Sequence, residues 1–234
     1  MQVTLEKVGH DYTNTFGEKV SPLKEINLEV NSGDLVTILG PSGSGKSTLL
    51  FILGCMLKPS RGGVMIDHVE VSGLEDRELA QLRLQKIGFV LQQNVLQPRL
   101  TVWENMMLPF WIGEAKDFNR KEADQKVKGL LEASGLMERA NFLPHQLSGG
   151  QRRRAAIVRA LVRDPELILA DEPTAELDET NQAIISQWLM SLAAQGKTVV
   201  IATHDLCLAG LTRQVYNLDN GCLHVRGERW NQNE

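Results

Sequence analysis

The segment most informative about the fold is Gly40-Pro41-Ser42-Gly43-Ser44-Gly45-Lys46-Ser47. It fits the pattern G-x-x-x-x-G-K-[ST], in which a glycine-rich turn directs successive backbone N–H groups at phosphate oxygens. The apolar run Leu35–Leu39 precedes it and predicts a strand that is buried on both faces of a parallel sheet. Residues 47–53 predict a helix whose positive end faces the loop. A strand, a loop and a helix in this order predict an α/β fold with a nucleotide site; the alternative is a chance glycine-rich turn.

Within this phosphate loop (residues 40–47), the side chains have distinct predicted roles. Gly43 and Gly45 free the backbone to wrap around the phosphates. Lys46 is predicted to reach the β- and γ-phosphates, and the hydroxyl of Ser47 to ligate Mg²⁺. We therefore predict that the residues from Gly40 to Thr48 bind ATP, with Mg²⁺ as cofactor.

A second candidate phosphate-binding stretch is Leu147-Ser148-Gly149-Gly150-Gln151, the LSGGQ segment. Ser148 supplies a hydroxyl, its two glycines leave backbone donors uncovered, and a predicted helix begins there. One triphosphate is already held by the phosphate loop, so we predict that the LSGGQ segment contacts a nucleotide bound by another copy of the same fold. The alternative interpretation is a serine-capped helix start without a ligand.

Two carboxylates follow a later apolar run. Residues 167–170 predict a buried strand, and Asp171 and Glu172 come directly after it. Such a strand places its last acids at the carboxyl edge of the sheet, where ligands bind in open α/β folds. Asp171 is predicted to hold Mg²⁺, and Glu172 to orient or deprotonate the attacking water. Without Lys46, a surface acid beyond the end of a strand would be the preferred interpretation of Glu172.

Composition excludes several other classes of protein. The chain has 234 residues, of which 42% are hydrophobic, and a net charge of −4, so it lacks the basic field of a nucleic-acid-binding protein. No apolar run approaches the roughly 20 residues needed to cross a bilayer, so a pore would have to come from another chain. Three separated cysteines, Cys55, Cys207 and Cys222, predict thiols in a reducing compartment.

The remaining pattern predicts two structural parts. An α/β core with an N-terminal β-subdomain is expected over residues 1–94 and 163–234, and a helical subdomain over 95–162. Apolar runs predict strands, and one-sided apolar stripes predict helices. Strands are predicted at 3–8, 23–30, 64–71 and 198–202, helices at 120–134, 149–162 and 180–194, a hairpin at 215–225 around Asp219-Asn220-Gly221, and a polar tail at 226–234.

Taken together, these motifs resemble the ABC ATPase family over nearly the whole chain. The resemblance implies a P-loop NTPase (RecA-like) core with an inserted helical subdomain. It also implies further site residues. Gln92 is similar to the Q-loop glutamine that touches Mg²⁺, His204 to the switch histidine at the γ-phosphate, Tyr12 to the aromatic residue that stacks on adenine, and Asp178 to the aspartate that crosses the dimer interface. Alternatives are a surface glutamine, a capping or core histidine, and a packed loop tyrosine.

Two features depart from the family pattern. Glu176 lies where a small or amide residue is usual, and an extra acid there would alter communication between the two sites. Residues Arg152, Arg153 and Arg154 are more basic than in relatives. We interpret them as a solvated charged face, with phosphate attraction as the alternative.

The stretches 87–105, 108–109 and 139–141 resemble the LolD-like and MacB-like group, which serves lipoprotein release and macrolide export. This implies a homodimer on the inner face of the cell membrane that reaches the membrane only through a separate permease. Apolar residues in and near these stretches are expected to line a groove that docks a permease helix, with the core of the helical subdomain as the alternative: Val95, Leu96, Leu100, Val102, Trp103 and Met107. A regulatory ATPase of cell-wall hydrolases, an uptake importer and a soluble ABC protein of DNA repair or translation are the alternative functions.

Overall fold

The computed structural model describes residues 1–13, 15, 17–92, 96–112 and 119–226. Its strands are β1 Val3–Thr13, β2 Lys19–Val30, β3 Leu35–Leu39, β4 Arg61–Ile66, β5 Val69–Glu70, β6 Ile87–Val90, β7 Leu167–Asp171, β8 Thr198–Thr203, β9 Gln214–Asp219 and β10 Cys222–Val225. Its helices are α1 Lys46–Leu53, α2 Asp76–Lys86, α3 Val102–Ile112, α4 Arg120–Ala133, α5 Gly149–Leu161, α6 Glu179–Ala194 and α7 Leu206–Gly210.

The larger sheet positions the candidate site. Its strand order is β10-β9-β3-β8-β7-β6. The strands from β9 to β6 are parallel, and β10 pairs antiparallel with β9 at one edge. The apolar runs at β3, β7 and β8 are buried, as predicted for strands covered on both faces. Because parallel strands end at the same edge, the segments that follow β3, β8, β7 and β6 meet there.

The smaller sheet is antiparallel, in the order β2-β1-β4-β5. The predicted single strand at 64–71 is wrong, because the structure has two strands, β4 and β5, joined by a tight turn. Asp67 and His68 form this turn with φ of 47° and 65°, the left-handed pair that a two-residue hairpin requires. Strand β1 also runs further than predicted and carries Tyr12 near its end.

The four helices predicted with bounds are present within one residue of those bounds, as α1, α4, α5 and α6. Helix α2 was not predicted. Only Leu79 of its eleven residues is buried, so the segment shows no apolar stripe of helical period. The predicted hairpin is confirmed by β9 and β10, with Asn220 and Gly221 at φ of 49° and 82°. Of the predicted tail, residues 227–234 lie outside the described residues.

A separate apolar core lies within residues 96–162. Its buried members include Leu96, Val102 and Met107, and Trp103 packs against it. These residues therefore belong to the core and do not form an open docking surface, while Val95 lies outside the described residues. The separate core supports the predicted division at residues 95 and 162, which remains a prediction. In the described part of the chain, no helix combines the length and hydrophobicity that crossing a bilayer demands.

Candidate nucleotide site

The phosphate loop joins β3 to α1 and encloses the Lys46 ammonium. Gly43 and Gly45 adopt φ of 80° and 101°, a region that L-residues seldom occupy. Lys46 Nζ donates to the carbonyl oxygens of Gly40 (2.8 Å) and Pro41 (3.0 Å), and only 6% of Lys46 is exposed. The ammonium therefore lies inside the curl of the loop, where a phosphate oxygen can replace the two carbonyls.

Two oxygen ligands come together beside the loop. The Ser47 hydroxyl donates a hydrogen bond to the carboxylate of Asp171, the last residue of β7. Burial raises the pKa of Asp171, and the neighbouring Glu172 charge adds to this, while the Ser47 hydrogen bond and Lys46 oppose it. The site thus holds an acid whose charge is poorly compensated by protein groups, as expected where a cation binds.

Glu172 is held from three sides. Its Oε1 lies 2.9 Å from His204 Nδ1 and 3.6 Å from Lys46 Nζ. The hydroxyl of Thr203, the last residue of β8, donates to Oε2 (2.9 Å). The residue itself adopts φ of 45°, which costs a non-glycine residue about 1 kcal/mol or more. A buried carboxylate at this position, in a strained backbone, is fixed in orientation. Sequence reasoning missed Thr203, although it directly precedes the predicted switch histidine.

Tyr12 lies at the rim of the phosphate loop. Its hydroxyl is 3.3 Å from Thr48 Oγ1, and its ring makes a T-shaped contact with the His10 ring, with the two centroids 4.6 Å apart. The side chain remains 43% exposed and lines a cavity of about 270 Å³ together with Gly43, Lys46 and other loop residues. An exposed aromatic face beside the loop is available to a planar base.

The LSGGQ segment begins helix α5. Ser148 is the N-cap: its Oγ accepts from Gln151 N (3.3 Å), and Gln151 Oε1 accepts from Ser148 N (2.9 Å). The local capping role is therefore real, yet Ser148 and Gly149 stay exposed, and open space surrounds Gly149. Within the described ranges, no hydrogen bond or ion pair links the segment to the phosphate loop.

The other predicted residues occupy loops at the same edge. Gln92 follows β6 and is exposed. Asp178 is exposed and caps α6 by accepting from Asn181 N (2.8 Å). This hydrogen bond lowers the pKa of Asp178. Glu176 is exposed with φ of 63°.

The interpretation of the three arginines as a solvated face is wrong. Arg153 is only 3% exposed and donates to two main-chain carbonyls of the β6–α3 connection. Arg154 donates to Asn181 Oδ1 (2.7 Å), and Arg152 to Leu147 O (2.6 Å). No local pattern reveals the partners of Arg153 and Arg154, because they lie 61 and 62 residues and 27 residues away along the chain.

Comparison with known protein families shows to which family this chain belongs. The family model described as ABC transporter matches residues 23–175. The chain belongs to the ABC transporter family. This match confirms the resemblance and the fold class, a P-loop α/β core with an antiparallel β-subdomain and helical parts.

Two relatives of this ABC protein align with 80% and 90% of its length. An uncharacterized ABC transporter ATP-binding protein of Thermotoga maritima is 50% identical over 80% of this chain and 79% of its own length. The lipoprotein-releasing system ATP-binding protein LolD of Saccharophagus degradans is 42% identical over 90% of this chain and 92% of its own length. The predicted similarity to the LolD group is therefore confirmed.

Solved structures of MJ0796, an ABC transporter cassette of Methanocaldococcus jannaschii, have the same fold. One is dimeric, and another is a dimeric post-hydrolysis state bound to ADP and Pi. Each superposes with a TM-score of 0.88 at 41% identity and covers 97% of both chains. The ABC protein described here is thus an ATP-binding cassette that hydrolyses ATP.

Proposed function

We propose that two copies of this cassette close head to tail around two Mg·ATP and drive a separate membrane permease of the lipoprotein-releasing or macrolide-exporting type. The observation that carries this proposal is the separation of the two phosphate-binding segments. The phosphate loop has its own lysine and the acids beside it, whereas the LSGGQ segment, in which Ser148 and Gly149 are exposed, shares no hydrogen bond or ion pair with them in the described part of the chain. If two copies face each other, each LSGGQ segment can contact the nucleotide that the phosphate loop of the other copy binds.

Magnesium fits the oxygen atoms at the phosphate loop. The Ser47 hydroxyl and the Asp171 carboxylate are hydrogen-bonded neighbours, both hard oxygen ligands of the kind that Mg²⁺ prefers. No group of three or more His, Cys, Asp or Glu side chains suited to a metal occurs among the described residues, so phosphate oxygens and water would complete the shell. Gln92 is the third protein ligand we propose. Mg²⁺ would supply charge compensation on the phosphates.

Glu172 serves as the general base in this proposal. Its contact with His204 orients the carboxylate, and the Thr203 hydroxyl fixes the second oxygen. Water placed against the free lone pairs of Glu172 can attack the γ-phosphate in line, and Lys46 and His204 offset the charge on the transferring group. Lys46 exchanges its two carbonyl partners for phosphate oxygens when ATP binds.

The remaining residues bind ATP across the dimer. Residues Gly40 to Thr48 hold the phosphates of one subunit's nucleotide, and Tyr12 stacks on its adenine. Ser148, Gly149, Gly150 and Gln151 of the other subunit face its γ-phosphate, with Asp178 at the interface. Support comes from the dimeric structures of MJ0796.

A groove of about 490 Å³ between α2 and α3 is the proposed docking site for a cytoplasmic helix of the permease. Its apolar lining includes Leu84, Phe89, Leu108, Pro109 and Ile112, and Ile112 is 69% exposed. An amphipathic helix would bury this surface. The cassette would then reach the inner face of the membrane only through its permease. The LolD relatives support this assignment.

The enzymatic part of the proposal is tested with Glu172→Gln. We expect ATP binding to persist while turnover falls by about 10² or more, the contribution of a general base. Glu132→Gln, an exposed residue of α4, is the matched control and should turn over like wild type. Turnover near wild type in Glu172→Gln would contradict the role of Glu172.

The transport part is tested by purifying the native complex from membranes. We expect an integral-membrane subunit to co-purify and to be lost on Ile112→Asp. Purification of the native protein without any membrane subunit would contradict the permease assignment.

A further inference from the structure

Arg153 is a buried cation that the proposed chemistry does not use. It lies in the second turn of α5, five residues after the capping Ser148. Its Nη1 donates to Leu91 O and to Gln92 O, each at 2.9 Å. Among the described residues, no carboxylate lies within 4.0 Å of the guanidinium, and its Nε has no hydrogen-bond partner. Burying a charge that has no ion-pair partner costs free energy, which its hydrogen bonds offset only in part.

The two carbonyls belong to the segment that immediately follows β6 and includes Gln92. Arg153 holds main-chain oxygens there, so the contact fixes the backbone of Gln92 whatever its side chain does. Helix α5 also lies against the opposite end of β6, since a Cβ on Gly88 would come within 2.6 Å of Ala160 O. Helix α5 therefore contacts β6 or the residues that follow it at two points. One is the close packing of Ala160 on Gly88, and the other is the pair of hydrogen bonds from Arg153 to Leu91 and Gln92.

The charge of Arg153 also acts on the acids of the site. Burial lowers the pKa of the Arg153 guanidinium, and the negative charges of Glu176, Asp171 and Glu172 counteract this shift. Glu176 and Arg153 both belong to the two features that depart from the family pattern. Compared with that pattern, this chain therefore carries an additional acidic side chain near a buried arginine. The attraction is long-range, since no carboxylate in the described ranges lies within 4.0 Å of the guanidinium.

We propose that Arg153 is a positioning residue that ties the start of the LSGGQ helix to the backbone of Gln92. Ser148 faces the nucleotide of the other subunit and Gln92 faces that of its own, so the tie makes the two half-sites of one subunit move together. This inference rests on the proposed function, which assigns Ser148 and Gln92 to the two nucleotides. A guanidinium suits the task because one charged donor group can serve two neighbouring carbonyls.

Two substitutions distinguish a positioning role of the Arg153 hydrogen bonds from a role in which the side chain only fills buried volume. Arg153→Met fills nearly the same buried volume but cannot donate, whereas Arg153→Lys keeps a charged donor. Arg120→Gln removes an arginine charge at a side chain that is 83% exposed and is the control. The readouts are hydrogen exchange of the amides of residues 88–92 without nucleotide, the melting temperature, and kcat and KM for ATP.

We expect Arg153→Met to exchange faster at residues 88–92 and to lose about tenfold in kcat, the effect of one charge-assisted hydrogen bond, with KM changed less than about twofold. Arg153→Lys should recover most of both, and Arg120→Gln should match wild type. The proposal is overturned if Arg153→Met keeps wild-type exchange or wild-type kcat, or if Arg153→Lys is no better than Arg153→Met. Failure of the dimer account is distinguishable, because it appears in the wild type and in Glu172→Gln, whereas this proposal fails only in the Arg153 variants.

Discussion

The Glu172 carboxylate is hydrogen-bonded to His204, with Glu172 Oε1 2.9 Å from His204 Nδ1. The carboxylate is buried, whereas 62% of the histidine side chain is exposed. The histidine thus connects a fixed base to open solvent, where a γ-phosphate would lie. This pair is the geometric centre of the proposed chemistry.

His204→Ala should lower kcat by about 10²-fold, because it removes both a partner of the base and a donor to the developing charge. Thr203→Val removes only the hydroxyl that donates to Glu172 Oε2 and should cost about tenfold or less. Steady-state hydrolysis at saturating Mg·ATP measures both. Equal losses in the two variants would show that His204 acts only by holding Glu172.

Asp171→Asn should stabilise the nucleotide-free protein while abolishing Mg²⁺-dependent hydrolysis. Burial raises the pKa of Asp171, so the folded state disfavours the ionised form, and at pH 7 that charge opposes folding. The neutral amide removes this penalty, and a rise of about 2–4 °C in Tm corresponds to about 1 kcal/mol in a chain of this size. Thermal unfolding with a chelator present measures it, with Asp124→Asn, whose side chain is 41% exposed, as control. A lower Tm in Asp171→Asn than in wild type would contradict the prediction that the Asp171 charge opposes folding.

Tyr12→Ala should weaken ATP binding by about tenfold or more, the usual cost of losing one stacked base. Tyr12→Phe keeps the ring and loses only the contact with Thr48, so it should bind nearly as well as wild type. Calorimetric titration with ATP and with inorganic tripolyphosphate separates the effects, since tripolyphosphate has no base. If Tyr12→Ala weakens both ligands equally, Tyr12 supports the loop and does not stack on adenine.

The three thiols should differ in reactivity. Burial raises the pKa of Cys55 to about 11, so at pH 8 the group is a protonated, inaccessible thiol and a poor nucleophile. Cys207 is exposed and should alkylate first. Mass spectrometry after brief iodoacetamide treatment measures the order, and Cys55 should react only after denaturation. Alkylation of Cys55 in the native protein at the rate of Cys207 would contradict its burial.

The parts of the fold that the sequence predicted are those encoded by adjacent residues. The buried run Leu35–Leu39 and the glycines of the phosphate loop specify a strand and a turn locally, and the acids at 171 and 172 follow their own strand. The LSGGQ helix start is equally local, since Ser148 and Gln151 cap it within four residues.

The differences between prediction and structure have three physical causes. Residues 64–71 are rich in Val, Met and Ile, but the left-handed pair Asp67 and His68 forms a turn that divides them. Helix α2 has a single buried residue and so lacks a periodic signal. Arg153 looked solvated in a run of three arginines, yet its partners lie 61 and 62 residues away. No local pattern reports such a contact.

The central claim is that ATP joins two facing copies of this chain. It is tested most directly by light scattering of Glu172→Gln during size-exclusion chromatography, with and without saturating Mg·ATP. We predict a mass near twice that of the 26.1 kDa chain with Mg·ATP, a monomer without it, and a monomer with Mg·ATP when Ser148→Arg is added. A Glu172→Gln protein that binds Mg·ATP but stays monomeric at all concentrations, even with its permease, would contradict the account.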